Sequence, residues 1–240
     1  MRIALLGEIV NRAMRPFGVE LRRSPDRLSV WDIDFIRWIK EAKSRGLDPN
    51  DLGDAEWATD LLEFGLANVY GPLFRPEARI LELGPGTGRL SRHAAGHDRH
   101  LTVVDRSDTV CDWMSEYLAG KGPHLVHQIR DASLPMVASS TIDAIVAHGV
   151  FEHLDLDVAY WFLVDFNRVL RPGGTVAFNF DNATSAGGMV HLELTSAPDR
   201  ASVFRFHSPD TIRGVAAAAG YSNTDIFEDS NRIAFAACRK

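Results

Sequence analysis

The stretch Ile80-Leu-Glu-Leu-Gly-Pro-Gly-Thr-Gly-Arg-Leu90 decides the fold. A short apolar run enters three glycines spaced two apart, and a helix-forming segment follows. Residues without a Cβ allow a tight turn and let a ligand approach the backbone closely. The following helix aims its unpaired N–H groups at that ligand. Glycines alone serve a bare turn equally well, so the context must decide. The pattern is G-x-G-x-G, and the sixth position from Gly84 is Arg89, where a dinucleotide fingerprint has glycine. That departure counts against NAD and FAD, whose pyrophosphate needs the close path.

Reading outward from the loop, apolar runs predict strands at Arg79–Leu83, Leu101–Asp105, Leu125–Arg130, Ile142–Ala147 and Thr175–Phe180. Helical stretches separate them at about Gly88–Ala95, Asp108–Ala119 and Leu156–Leu170. Such alternation predicts parallel pairing, because each parallel connection needs a crossover. The tail predicts a helix over Pro209–Gly220 and then strands at Asn223–Glu228 and Arg232–Cys238. The expected fold is α/β: a three-layer α/β/α sandwich around a mostly parallel seven-stranded sheet. It ends in an antiparallel hairpin and carries N-terminal helices. In the front segment, Trp31, Phe35, Trp38 and Ile39 share a helical face ending near Gly46. A turn at Asp48-Pro-Asn-Asp-Leu-Gly53 and a second helix over about Asp54–Tyr70 follow. The expected division is a helical extension or cap over 1–75 and a Rossmann-like domain over 76–240. Residues 181–207 form a candidate substrate lid hinged at Gly187-Gly188.

The chain has 240 residues and a net charge of −6, so no broad positive field favours nucleic acid. Residues 1–30 run the other way, with Arg2, Arg12, Arg15, Arg22, Arg23 and Arg27 against Glu8, Glu20 and Asp26. Such an Arg-bearing apolar helix suits an anionic membrane surface, but the preferred reading is a helix packed on its own domain or on a partner subunit, hence a candidate homodimer. The two cysteines, Cys111 and Cys238, are not spaced as a metal or disulfide framework. No apolar run is long enough to span a bilayer and no cleavable leader is evident, so the expected location is cytoplasmic.

Acidic residues close the strands beside the loop. Asp105 ends the second strand, 17 residues after Gly88, where a carboxylate suits two ribose hydroxyls. Asp131-Ala132 follows the third strand, where a carboxylate suits an exocyclic amine. The bland reading of each is a helix cap. With these features in order, residues 79–180 resemble the class I S-adenosylmethionine-dependent methyltransferases. Glu82-Leu-Gly-Pro-Gly-Thr-Gly88 resembles their first motif, Val103-Val-Asp-Arg106 the second and Arg130-Asp-Ala-Ser-Leu-Pro135 the third. Ala147-His-Gly-Val-Phe-Glu-His-Leu154 and Val169-Leu-Arg-Pro-Gly-Gly-Thr-Val176 resemble the segments before and into the fifth strand. Residues 1–75 and 181–207 lie outside the likeness.

The resemblance implies S-adenosyl-L-methionine as cofactor. Gly84 and Gly86 would lie against its methionine part, Glu82 would fix the loop and reach the methionine amine through water, Asp105 would bind the ribose and Asp131 would face the adenine; Pro85, Gly88, Arg106 and Ala132 complete the cofactor-binding set. His148 would touch it after the fourth strand. Methyl transfer from a sulfonium asks the protein chiefly for alignment, and for a base only if the nucleophile must lose a proton. The candidate catalytic residues are His153 and Glu152, each of which also reads as a structural partner of the next helix. Metal-dependent relatives carry a second Glu at the position held here by Gly149, so no metal is expected; His191, Glu193 and His207 read as distant metal ligands or as an ordinary polar loop, and the loop is the bland reading. The Asn-Pro-Pro-Tyr-like motif of adenine and glutamine methylators is replaced by Ala147-His-Gly-Val150. The expected activity is methyl transfer to a small-molecule acceptor, with oxygen as the nucleophile. A nicotinamide or nucleotide-sugar oxidoreductase and a non-catalytic cofactor-binding module are the alternatives.

Overall fold

The computed structural model describes residues 27–49, 59–196, 203–228 and 232–240. Its strands are β1 (Arg79–Leu83), β2 (His100–Asp105), β3 (His124–Gln128), β4 (Ile142–Ala147), β5 (Leu170–Asn182), β6 (Phe206–His207), β7 (Asn223–Glu228) and β8 (Ile233–Arg239). They form one sheet in the order β3-β2-β1-β4-β5-β8-β7, with β6 beside the end of β5. Strands β1 to β5 pair in parallel, and β8 runs antiparallel to both β5 and β7. The expected α/β fold with its terminal hairpin is present, and the two-residue β6 makes an eighth strand. That short strand escaped the sequence because two residues carry no periodicity.

Side-chain alternation sorts the core into two halves. Leu81, Leu83, Ile145, Ala147, Val176 and Phe178 join one buried cluster, while Ile80, Val146, Ala177 and Phe235 join the other. Each half is covered by helices, which gives the three layers. On the first face lie α5 (Leu156–Val169) and α7 (Pro209–Ala218), through Phe162, Phe166 and Ile212. On the second lie α3 (Ser91–Ala94) and α4 (Asp108–Tyr117), through Ala94, Val110 and Met114.

The front helices pack on that second face too. Helix α1 (Arg27–Arg45) buries Phe35, whose ring meets Trp113 of α4 edge-on at 6.3 Å. Helix α2 (Thr59–Gly65) passes into a π-helical turn over Leu66–Tyr70, and Leu62, Val69 and Tyr70 enter the same cluster as Ile80 and Phe235. The aromatic stripe is thus core at Phe35. The start of the second predicted helix and most of the predicted turn before it lie outside the described residues, as do residues 1–26 and 197–202.

Three boundaries differ from expectation. The first crossover helix is only Ser91–Ala94, because residues 84–90 are spent turning. Strand β5 starts at Leu170, which pairs with Ile142 across a register shift. The polar stretch after β5 is a helix, α6 (Ala186–Thr195), and not the loop that His191 and Glu193 suggested. The Gly187-Gly188 pair sits in its first turn. Ser185 caps it, its Oγ accepting from Gly188 N at 3.0 Å. Glycine is required at 188 because a Cβ there would lie 1.9 Å from Asn182 O.

Candidate active site

The register assembles the site along one edge of the sheet. Leu83 pairs with both Val104 and Ala147, which sets Gly84 between Asp105 and His148 at the strand ends. Phe178 pairs with Ala147, so Asn179 lies next to His148. Ligands of open parallel sheets bind outside this carboxyl edge.

The loop is locked by its own backbone and by α4. Gly84, Gly86 and Gly88 have φ of +67°, +53° and +101°, which side chains with a Cβ rarely adopt. Gly84 N donates to Val104 O at 2.9 Å, and Trp113 Nε1 donates to Thr87 O at 3.0 Å. At Gly86 a Cβ would meet nothing within 4 Å, so this backbone faces open space. Thr87 Oγ1 is buried there without a hydrogen-bond partner. An open backbone at Gly86 beside an orphaned buried hydroxyl fits a polar ligand lying across the loop. Pro85 is buried beneath it.

Glu82 is the acidic root of the loop. It is buried, accepts from Ser91 Oγ at 2.6 Å, and is pushed up to about 7 by burial. Asp105 is half-buried at the end of β2, with Oδ1 accepting from Ser107 N at 2.8 Å. Ser107 Oγ in turn accepts from Val110 N at 3.1 Å and caps α4. Arg106 Nη2 donates to Arg130 O at 3.2 Å, tying the end of β2 to the segment of Asp131 and Ala132. Asp131 is exposed, and its Oδ1 accepts from Ser133 Oγ.

Beyond β4 two linked clusters form. His148 packs edge-on against Tyr70 at 5.8 Å and stacks near Phe235 at 6.5 Å. Tyr70 Oη lies 3.2 Å from Ala147 O and 3.4 Å from His148 Nδ1. Burial lowers the His148 imidazole to about 3, with Arg89 adding to the effect, so its ring is neutral at physiological pH. In the second cluster Asn179 is buried between Gly149 and Glu152. Its Oδ1 accepts from Gly149 N at 2.7 Å and its Nδ2 donates to Glu152 Oε2 at 3.2 Å. Burial raises the Glu152 carboxyl to about 7, and the field of Asp181 adds to it. His153 Nε2 lies 3.7 Å from Glu152 Oε1, while Nδ1 is 3.0 Å from Val203 O. That carbonyl selects the tautomer with the proton on Nδ1. Burial lowers the His153 imidazole below its usual range.

The structure therefore brings Glu82, the loop, Asp105 and His148 to one edge, with Glu152 and His153 just beyond it. Tyr70 and Ser91 were not singled out by sequence. Tyr70 reaches its site from 78 residues away, and no spacing rule announces such a contact. Among the described residues no group of three His, Cys, Asp or Glu side chains is placed to hold a metal ion. No helix among them is long and apolar enough to cross a membrane.

Comparison with known proteins agrees with this geometry. Residues 80–174 match the model of a methyltransferase domain family. The ubiquinone/menaquinone biosynthesis C-methyltransferase of Rubrivivax gelatinosus is 31% identical over 122 residues, 48% of this chain and 46% of that protein. The malonyl-[acyl-carrier protein] O-methyltransferase of Geobacter sulfurreducens is 28% identical over 162 residues, 63% of this chain and 58% of that protein. The chain thus spans about half the length of the curated relatives it matches. Among solved structures, an S-adenosylmethionine-dependent methyltransferase of Methanosarcina mazei superposes with a TM-score of 0.59 at 14% identity, covering 72% of this chain and 97% of that one. The magnesium protoporphyrin IX methyltransferase of Synechocystis, solved with bound S-adenosylhomocysteine, gives 0.58 at 15% identity, covering 79% and 84%.

Proposed function

We propose that the chain is a class I S-adenosylmethionine-dependent methyltransferase and that it methylates an oxygen of a small-molecule acceptor at the carboxyl edge of β1, β4 and β5. The observation that carries the cofactor side is the positive-φ loop at Gly84–Gly88 placed by register beside Asp105. Bound there, S-adenosylmethionine supplies a methyl group already activated on a sulfonium.

The chain's own residues do the rest. Gly84 and Gly86 let the backbone meet the methionine part, and Asp105 takes the two ribose hydroxyls. Arg106 and Gln128 brace that strand end, Gln128 Nε2 donating to Arg106 O at 3.0 Å. Asp131 and Ala132 border the adenine. Glu82 fixes the loop to α3 through Ser91. His148, neutral and held by Tyr70, forms an apolar wall near the reacting methyl. The front helices from α1 to Tyr70 serve as a cap fused to the domain, closing the side opposite a lid made of 181–207.

The oxygen reading rests on Glu152. A carboxyl near neutrality is poised to take a hydroxyl proton, and Asn179 leaves Oε1 turned toward His153. Nε2 of His153 carries no proton in the tautomer set by Val203 O, so it faces Oε1 as an acceptor and favours the protonated form of Glu152. The two curated relatives include a carbon and an oxygen methylator, so the acceptor atom must be tested directly. The full chain is incubated with methyl-labelled S-adenosylmethionine and a panel of phenols and alcohols. Label on oxygen is expected, with Glu152→Gln lowering turnover far more than cofactor affinity. Label on carbon, or full turnover in Glu152→Gln, overturns the oxygen reading.

A further inference from the structure

Beyond the sheet edge, α6 presents a groove that the cofactor site does not use. Its walls are Ala186, Gly187, Val190, His191 and Leu194 of α6, and Arg232 from the segment entering β8. It is an open, shallow depression of about 440 Å³. Ala186, Val190 and Leu194 recur every four residues, so they form one apolar stripe. Val190 and Leu194 are 54% and 74% exposed, an unusual state for a stripe that no described side chain covers.

The polar end of the groove is built on β5. Asp181 is fully buried, two residues beyond Asn179 and therefore on the same strand face. Arg232 Nε donates to Asp181 Oδ1 at 2.6 Å, and Nη2 reaches Oδ2 at 3.4 Å. The guanidinium charge is thus matched by a carboxylate and offers no net anchor for an anion. His191 Nδ1 lies 3.4 Å from the same Oδ1, and its ring is held between Phe204 at 4.6 Å and Phe206 at 5.4 Å. Nδ1 is buried and makes no hydrogen bond, so the carboxylate acts on it through its field alone; that field favours the proton on Nδ1 and leaves Nε2 as an acceptor. Phe204 also contacts His153 at 5.1 Å, so the groove adjoins the Glu152–His153 cluster.

We propose that this groove is the acceptor subsite and takes an uncharged apolar ring or chain bearing a hydroxyl, which donates to His191 Nε2. The stripe holds the apolar body, and the hydroxyl fixes its orientation. This assignment rests on the methyltransferase reading for its purpose, but not for its test.

The probes are 1-naphthol, 1-methylnaphthalene and 1-naphthalenesulfonate, titrated into the full chain with and without S-adenosylhomocysteine. Naphthol is expected to bind about fivefold tighter than methylnaphthalene, the worth of one hydrogen bond. The sulfonate binds no tighter than naphthol. His191→Phe removes the difference between naphthol and methylnaphthalene. Leu194→Asp, at an exposed position, weakens both and leaves S-adenosylhomocysteine affinity unchanged. Naphthol binding indifferent to Leu194→Asp, or preference for the sulfonate, overturns the subsite. Absence of S-adenosylhomocysteine binding would instead remove the methyltransferase reading while the probe titration still reports on the groove.

Discussion

Asn179 joins Glu152 to the end of β4: its Nδ2 donates to Glu152 Oε2 at 3.2 Å while its Oδ1 holds Gly149 N at 2.7 Å. Removing it strips the part-buried Gly149 N–H of its acceptor. Asn179→Ala should cost roughly 1–3 kcal/mol by urea unfolding. Asn179→Asp keeps the acceptor for Gly149 but sets a second carboxylate against Glu152. A variant as stable as the wild type in both cases would remove Asn179 from this bracing role.

Asp105 carries the proposed ribose contact. Asp105→Ala should weaken S-adenosylhomocysteine binding roughly tenfold to a hundredfold, as expected for lost hydrogen bonds to a charged group. The fold should survive, with a small loss from the Ser107 N contact. Calorimetry decides the matter, and unchanged affinity would take Asp105 out of the site.

Two glycines separate packing from ligand access. A Cβ at Gly84 would lie 2.5 Å from Val150 Cγ2, whereas one at Gly86 meets nothing. Both positions carry a left-handed backbone, worth about 1–2 kcal/mol against alanine. Gly84→Ala should therefore lose more stability than Gly86→Ala, while both lose cofactor affinity. Equal stabilities in thermal unfolding would contradict the packing part. Full affinity in Gly86→Ala would show that the cofactor does not cross that backbone.

Glu82 gives a signed pH dependence. Its carboxyl is raised from 4.5 to about 7 in the fold, so between these values the native state binds more protons than the unfolded chain. Stability contributed by this group is then greatest at or below pH 4.5 and falls as pH rises through 7. The loss is at most about 3 kcal/mol. His148, lowered from 6.5 to about 3, acts oppositely and loses stability on acidification. The clean measurement is the stability difference between wild type and Glu82→Gln, by denaturant unfolding from pH 4.5 to 8. The wild type should decline relative to the variant across that range; a flat difference would refute the shift.

Much of this protein was legible because its signals are local. The glycine loop, the Asp105 strand end and the β/α alternation are set by chain stiffness and periodicity over a few residues. From these followed the parallel pairing and the terminal hairpin. The polar stretch after β5 reads as a loop in sequence and is the helix α6, because Gly187-Gly188 looks like a break until Asn182 O is seen filling the space of a side chain.

What the sequence by itself determined is the glycine loop and the strand ends around it, since glycine's conformational freedom and strand period act within a short span. Tertiary structure alone decided the electrostatics. Burial moved Glu82 and Glu152 toward neutrality and His148 far below it, and burial depends on packing from distant segments. It also brought Tyr70 to His148, and Asp181, His191 and Arg232 together at one groove. Those contacts join residues from separate elements, where no local periodicity records the distance between them.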